Sequence, residues 1–179
     1  MSASASIKKE HHTGHSQKYL TFNLAEEQYG VEILKVKEII GLMEITKVPR
    51  IPEFVRGVIN LRGKVIPIID LRNKFGMEEA ADTEQTCVIV VEVSLQDTFI
   101  MMGIVVDSVS EVLDIDEGHI EDPPAFGSTV STNFIRGMAK IKEGIKILLN
   151  IEEVLTSEEL QTIAKTDSSN LKETSAEAH

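Results

Sequence analysis

Five histidines, one cysteine and a scatter of carboxylates are the side chains of this chain whose types could do chemistry. His11, His12 and His15 crowd together near the N-terminus as metal ligands would, but no Cys or carboxylate partners accompany them at fixed spacing, so they read as part of a polar tail. Cys87 sits inside the run Cys-Val-Ile-Val-Val, where a thiol behaves as a small core hydrophobe and, being alone, closes no intramolecular disulfide. Asp70 and Asp107 each follow an apolar run and are placed to cap turns through local hydrogen bonds. His119 falls in an acidic loop. There is no Gly-rich phosphate loop, no H-E-x-x-H and no nucleophile elbow. The residues therefore assemble no catalytic set, no metal site and no cofactor site, and the expectation is a protein that is not an enzyme.

A different kind of site is suggested by Gly57 to Leu71, Gly-Val-Ile-Asn-Leu-Arg-Gly-Lys-Val-Ile-Pro-Ile-Ile-Asp-Leu. Two β-branched runs around a Gly-containing turn make a β-hairpin with a charge at its apex. Gly63 can supply the positive φ of a type I turn with a bulge, whereas Arg62 should resist a type I′ turn, which needs positive φ at both central positions. Pro67 cannot donate to a ladder, which predicts an edge strand or a bulge there. Taken alone, Arg62 reads as a solvated turn charge or the partner of a nearby acid.

Composition narrows what such a surface could bind. The formal charge is -11, with 18 Lys plus Arg against 29 Asp plus Glu, which opposes attraction to phosphate backbones or anionic lipid. No Trp and two Tyr leave few stacking platforms for bases or sugars. Neither nucleic acid nor membrane insertion is expected, no secretory pattern opens the chain, and the expected compartment is the cytoplasm.

The elements that must position the hairpin are short strands. Leu20, Phe22 and Leu24 alternate with Tyr19, Thr21 and Asn23, the period of a half-buried strand. Tyr29 to Ile33 continue as a second strand, followed by a helical turn near Leu34 and a strand running into Ile45. Pro52 to Arg56 before Gly57 predict a one-turn helix that Gly57 stops. Val88 to Val93 and the nearly all-apolar Phe99 to Val106 are further strands, the latter buried on both faces. Asp114 to Thr132 read as loop, Ile135 to Met138 and Ile145 to Ile151 as strands. Thr156 and Glu159 form a capping box that opens a helix from Ser157 to about Ala164. Residues 1–16 and 165–179 lack an apolar period and are expected to be mobile tails.

The chain also repeats itself. A shift of 73 residues lays the stretch from Tyr29 onto that from Met102, pairing Gly30 with Gly103, Val36 with Val109 and Glu38 with Glu111. A shift of 80 lays Arg56-Gly57 onto Arg136-Gly137 and Asp70 onto Asn150. Two copies of about 70 residues, neither able to bury much surface alone, imply a mainly β protein of two small five-stranded barrels packed together. The expected boundaries are about 17–83 for the first barrel and 84–156 for the second, with strand exchange between them left open.

These residues carry a resemblance. Tyr-Gly-Val-Glu-Ile-Leu-Lys-Val-Lys-Glu-Ile, Pro-Arg-Ile-Pro-Glu-Phe-Val-Arg-Gly-Val-Ile-Asn-Leu-Arg-Gly, Pro-Ile-Ile-Asp-Leu-Arg and Gly-Ile-Val-Val-Asp-Ser-Val-Ser-Glu-Val resemble, in this order, the chemotaxis coupling protein family, CheW, over roughly Gln17 to Leu160. The fold also occurs in the regulatory domain of the chemotaxis histidine kinase CheA and in the hybrid CheV proteins; a chain of 179 residues matches a stand-alone coupler better than either. The resemblance implies two SH3-like barrels and a non-enzymatic scaffold that joins chemoreceptor cytoplasmic tips to the kinase in two-component signalling. It implies a protein monomeric alone and assembled into membrane-associated arrays through protein contacts.

Residues carried over by motif as partner-binding are Ile33, Val36, Glu38 and Ile39, then Gly57, Asn60, Leu61 and Arg62, then Val105 and Val109. Phe126 joins them as an apolar anchor in the loop from Glu121, which matches a kinase-facing segment, although the family often has a basic residue in place of Glu121. Aliphatic side chains would accept an apolar helical face while Arg62 and Glu38 set register. The plainer readings are core for at least one of Val36 and Ile39, and a helix stop for Gly57. Other functions considered are a coupler of a paralogous chemosensory array and a small-ligand-binding barrel.

Overall fold

The computed structural model describes residues 16–124, 133–142 and 144–164. Its strands are β1 (Ser16–Leu24), β2 (Glu27–Glu32), β3 (Val36–Gly41), β4 (Val55–Leu61), β5 (Lys64–Asp70), β6 (Cys87–Leu95), β7 (Thr98–Val106), β8 (Ser108–Asp116), β9 (Ile120–Glu121), β10 (Ile135–Ile141) and β11 (Gly144–Leu149). They form two sheets, ordered β8-β1-β2-β11-β10-β9 and β3-β6-β7-β5-β4. Each curls round a core of its own, so the chain adopts the expected mainly β, two-barrel architecture, with six strands rather than five in the first sheet because the short β9 pairs with β10. Tyr19, Ile115, Ala139 and Leu148 fill the first core. Ile59, Leu61, Ile66, Ile68, Val88, Val90 and Val105 fill the second, with Ile40, Leu42, Ile45 and Met101 against it.

The repeat is visible in the ladders. Val55 faces Ile69 and Gly57 faces Ile68 across a bulge in β4–β5, and Ile135 faces Leu149 and Gly137 faces Leu148 across the same bulge in β10–β11. Ile68 pairs in parallel with Gly103 as Leu148 pairs with Gly30. Asp70 and Asn150 cap the turns after β5 and β11, their side chains accepting from Asn73 N–H and Glu152 N–H.

The copies do not, however, form separate barrels. One compact unit comprises residues 1–34 and 109–154, the other 35–108 and 155–179, which corrects the contiguous division near residue 83. The first sheet takes β1 and β2 from the first copy and β8 to β11 from the second, while the other takes β3 to β5 from the first copy and β6 and β7 from the second. The chain leaves the first sheet at the 3₁₀ turn Ile33–Lys35, where a helical turn was expected, and returns to it with β8. β8 runs to Asp116, into the loop expected from Asp114, and its central residues Ser110, Glu111 and Val112 are exposed, so no buried alternation marks it.

Four local expectations also change. The β4–β5 connection is a two-residue turn with φ of 52° at Arg62 and 87° at Gly63, the type I′ geometry that Arg62 was expected to resist. The turn is held by Gly63 N–H donating to Asn60 Oδ1 at 2.8 Å and by the ion pair of Arg62. Pro67 lies in an inner strand. It is tolerated there because its partner Val58 bonds Thr46 rather than Pro67, and the ladder to β7 begins only at Ile68. Residues 53–54 make a turn and Val55 already begins β4, so Gly57 does not stop a helix. It is a strand residue with φ of 146°, where a Cβ would sit 2.2 Å from the carbonyl oxygen of Thr46. Finally β1 is buried on both faces from Tyr19 to Phe22; Thr21 can enter because its hydroxyl donates to Glu111 C=O and accepts from Glu111 N–H.

The C-terminal helix spans residues 157–164 with the expected capping box: Glu159 N–H donates to Thr156 Oγ1, and Thr156 N–H to Glu159 Oε1. Leu160 and Ile163 are buried, and Lys74 donates to both Glu159 oxygens while lying over the Phe54 ring. Burial pushes the Glu159 carboxyl up, but the hydrogen bonds from Lys74 and Thr156 prevail and lower it. Arg72 grips Asp107 through two hydrogen bonds of 2.9 and 2.5 Å, so Asp107 is structural through a long-range ion pair. The histidines of residues 11–15 lie outside the described residues.

Candidate functional site

Strand directions in the five-stranded sheet gather five strand ends in one place. β3 and β6, β6 and β7, and β4 and β5 are antiparallel, while β5 and β7 are parallel. The starts of β3, β5 and β7 therefore share an end of the sheet with the finishes of β4 and β6. Val36, Leu61, Lys64, Leu95 and Thr98 mark that end.

An ion pair spans it. β3 and β4 are the two edge strands, and Arg62, just past β4, donates from Nη1 and Nη2 to Glu38 Oε2 and Oε1 at 2.7 and 2.8 Å. This two-point bond ties one edge of the sheet to the hairpin on the other. The Arg62 side chain stays 72% exposed and that of Glu38 27%, so the pair adds little to stability by itself. Its effect is orientation: a planar guanidinium fixed by two parallel hydrogen bonds presents its remaining donors in a set direction. Hydrogen bonding to Arg62 holds the Glu38 carboxyl below the usual glutamate range, and Glu38 raises the guanidinium in return. Lys37 and Glu92 form a second pair, at 3.4 Å.

The carried-over residues separate into groups around this frame. Val36, Glu38 and Arg62 lie at the barrel end, with exposed Asn60 bracing the turn. Ile39 is 44% exposed and points away from the core that receives Ile40, so neither Val36 nor Ile39 is the buried residue the plainer reading expected. Leu61 and Val105 belong to the core; substituting them would alter packing before any surface. Gly57 is buried against Thr46. Ile33 and Val109 are half-buried, at the 3₁₀ turn and in β8 respectively. Phe126 lies outside the described residues, and Glu121, in β9, pairs with Lys140 at 2.7 Å.

This arrangement has the chemistry of a recognition surface. Among the described residues no group of three or more His, Cys, Asp or Glu side chains could hold a metal ion. A family model described as the CheW-like domain matches residues 18–159.

This chain belongs to the CheW family. It is 41% identical over 147 residues to the chemotaxis protein CheW of Klebsiella aerogenes, covering 82% of this chain and 86% of that one. To the chemotaxis protein CheW of Rhizobium meliloti it is 33% identical over 149 residues, covering 83% and 94%. The crystal structure of the scaffolding protein TtCheW from Thermoanaerobacter tengcongensis superposes with a TM-score of 0.69 at 40% identity, covering 77% of this chain and 91% of that one. Membership of the CheW family makes the protein a non-enzymatic scaffold and coupling protein of chemotaxis.

Two features of this barrel end do not follow from the sequence. Glu38 and Arg62 are 24 residues apart and each was singled out, but nothing in their spacing says that they bond to one another. Lys64 was read only as part of the hairpin, although its place at the start of β5 puts it at the same barrel end.

Proposed function

We propose that the barrel end formed by Val36, Glu38, Asn60 and Arg62, with Ile39 on the outer face of β3, binds the cytoplasmic tip of a chemoreceptor. In this reading the protein couples that tip to the regulatory domain of the chemotaxis histidine kinase CheA. Ile33, Val109 and Phe126 are assigned to the partner surface on the family resemblance, and Gly57, Leu61 and Val105 to its scaffolding. The observation that carries the reading is the two-point Arg62–Glu38 bond, which holds an exposed guanidinium in a fixed orientation beside apolar strand residues. A helical receptor tip offers the matching surface, an apolar stripe flanked by polar groups. The working place is the cytoplasm, at membrane-bound receptor arrays reached through protein contacts. No described helix is long and apolar enough to cross a membrane. Weak individual contacts suffice in an array, where multivalency multiplies them.

Calorimetric titration with the CheA regulatory domain, and separately with a soluble receptor cytoplasmic fragment, tests this. Saturable binding to both is expected. A folded protein that binds neither would redirect the assignment to a paralogous chemosensory array.

A further inference from the structure

One apolar row in the five-stranded sheet does not stop where the core stops. Val105, Gly103, Met101 and Phe99 alternate along β7 and so share a face. Val105 is in the core, Met101 is half-buried against it, and Phe99 is 71% exposed at the start of the strand. The residue facing Phe99 across the ladder, Ser94, is small and exposed and gives the ring no cover. Single exposed apolar residues are ordinary on protein surfaces. This one prolongs the core row into solvent at the same end of the barrel as Glu38 and Arg62.

The charges at that end divide into paired and unpaired ones. Glu38 is bonded to Arg62 and Lys37 to Glu92, whereas Lys64, exposed at the start of β5 beside β7, has no ion-pair partner among the described residues. The exposed groups left at that end are the Phe99 ring and the Lys64 ammonium, on adjacent parallel strands, and the Asp97 carboxylate in the β6–β7 turn.

We propose that Phe99 and Lys64 form a second anchor of the partner site, Phe99 packing on an aliphatic side chain of the receptor-tip helix and Lys64 pairing with a carboxylate on that helix. This rests on the receptor-tip reading above and names two residues that the family motifs did not. A ring buried at the centre of an interface and a rim charge that steers approach are complementary roles.

The test is calorimetric titration of the wild type, Phe99→Ser, Phe99→Leu and Lys64→Glu with the soluble receptor fragment and, in parallel, with the CheA regulatory domain. Phe99→Ser should weaken receptor binding about tenfold, leave kinase-domain binding unchanged and leave the melting curve unchanged, because the ring is exposed. Phe99→Leu should keep most of the affinity. Lys64→Glu should cost less, and its cost should shrink at high salt. Receptor affinity unaltered by Phe99→Ser while the wild type binds would overturn this inference alone. A loss confined to the kinase domain, or one tracking a fall in melting temperature, would overturn it as well. Failure of the wild type to bind the receptor fragment would instead remove the reading on which it rests.

Discussion

The two hairpins of the repeat, β4–β5 and β10–β11, are built alike and end differently. Both carry the same bulge, both pack a glycine against a neighbouring chain segment, and in both a backbone hydrogen bond runs from the close of the second strand to the residue before the first, Asp70 N–H to Phe54 C=O and Asn150 N–H to Phe134 C=O. The shifts of 80 and 73 residues place Lys142 where Arg62 stands and Glu111 where Glu38 stands. Yet Arg62 and Glu38 are joined at two points, while Lys142 and Glu111 are exposed and form no ion pair among the described residues. A guanidinium fork can lock onto a carboxylate in one plane; a lysine ammonium is a point charge on a flexible stem and gains less from being held. One scaffold thus yields a barrel end with a fixed donor and another without.

The largest effect should come from testing what the hairpins share. A Cβ on Gly57 would meet backbone, the Thr46 carbonyl oxygen at 2.2 Å, at a φ of 146° that side chains rarely adopt. A Cβ on Gly137 would meet the side-chain Cγ2 of Ile120 at 2.5 Å and the Glu121 carbonyl oxygen at 3.0 Å. Gly57→Ala is expected to destabilise the protein by roughly 3 kcal/mol through strain and displaced backbone. Gly137→Ala should cost less, since Ile120 can change rotamer. Urea unfolding of both variants measures this. Equal losses would show that the two glycines are constrained alike and that the repeat is more symmetric than its geometry suggests.

The next effect probes where the hairpins differ. Arg62→Ala removes the fixed donor and should weaken receptor-dependent kinase activation about tenfold, with the fold retained. Lys142→Ala, its counterpart by the repeat, should leave activation unchanged. Arg62→Lys is the sharper variant: it keeps the charge and loses the fork, so it should behave more like Arg62→Ala than like the wild type. Activation at the wild-type level in Arg62→Lys would make charge rather than orientation the working property.

Much of this was legible in the amino-acid order because it rests on local rules. Alternation and turn residues gave most strands, the Thr156–Glu159 spacing gave the C-terminal helix, and recurring Gly, Arg-Gly and Glu gave the repeat. What escaped was nonlocal. Strand exchange at Ile33–Lys35 leaves no local trace, because β3 carries the same pattern whichever sheet receives it. Arg62 adopts positive φ against its own preference because Asn60 and Glu38 hold the turn from outside. Pro67 sits in an inner strand because the pairing of Val58 with Thr46 makes its missing N–H harmless. The candidate site was half legible: the motifs point to Glu38 and Arg62 but group them with Leu61 and Val105, which alternation alone does not assign to the core.

The smallest effect is also the most direct reading of the Glu38–Arg62 bond. Hydrogen bonds from Arg62 hold the Glu38 carboxyl below its ordinary range, so its folded pKa lies under the unfolded value of about 4.3. A carboxylate depressed in this way contributes stability that is fully present above the unfolded value and fades as pH falls through the folded one. Near neutral pH the bond is therefore complete, and only acid below about pH 4 should open it. Carbon-13 NMR titration of the Glu38 side chain follows this directly. In the wild type the midpoint should lie below that of an ordinary glutamate; in Arg62→Ala it should return to the ordinary range. A midpoint that did not move on removing Arg62 would mean that the carboxylate is held by something other than the guanidinium, and the barrel end would lose its fixed donor as the feature separating it from its counterpart in the repeat.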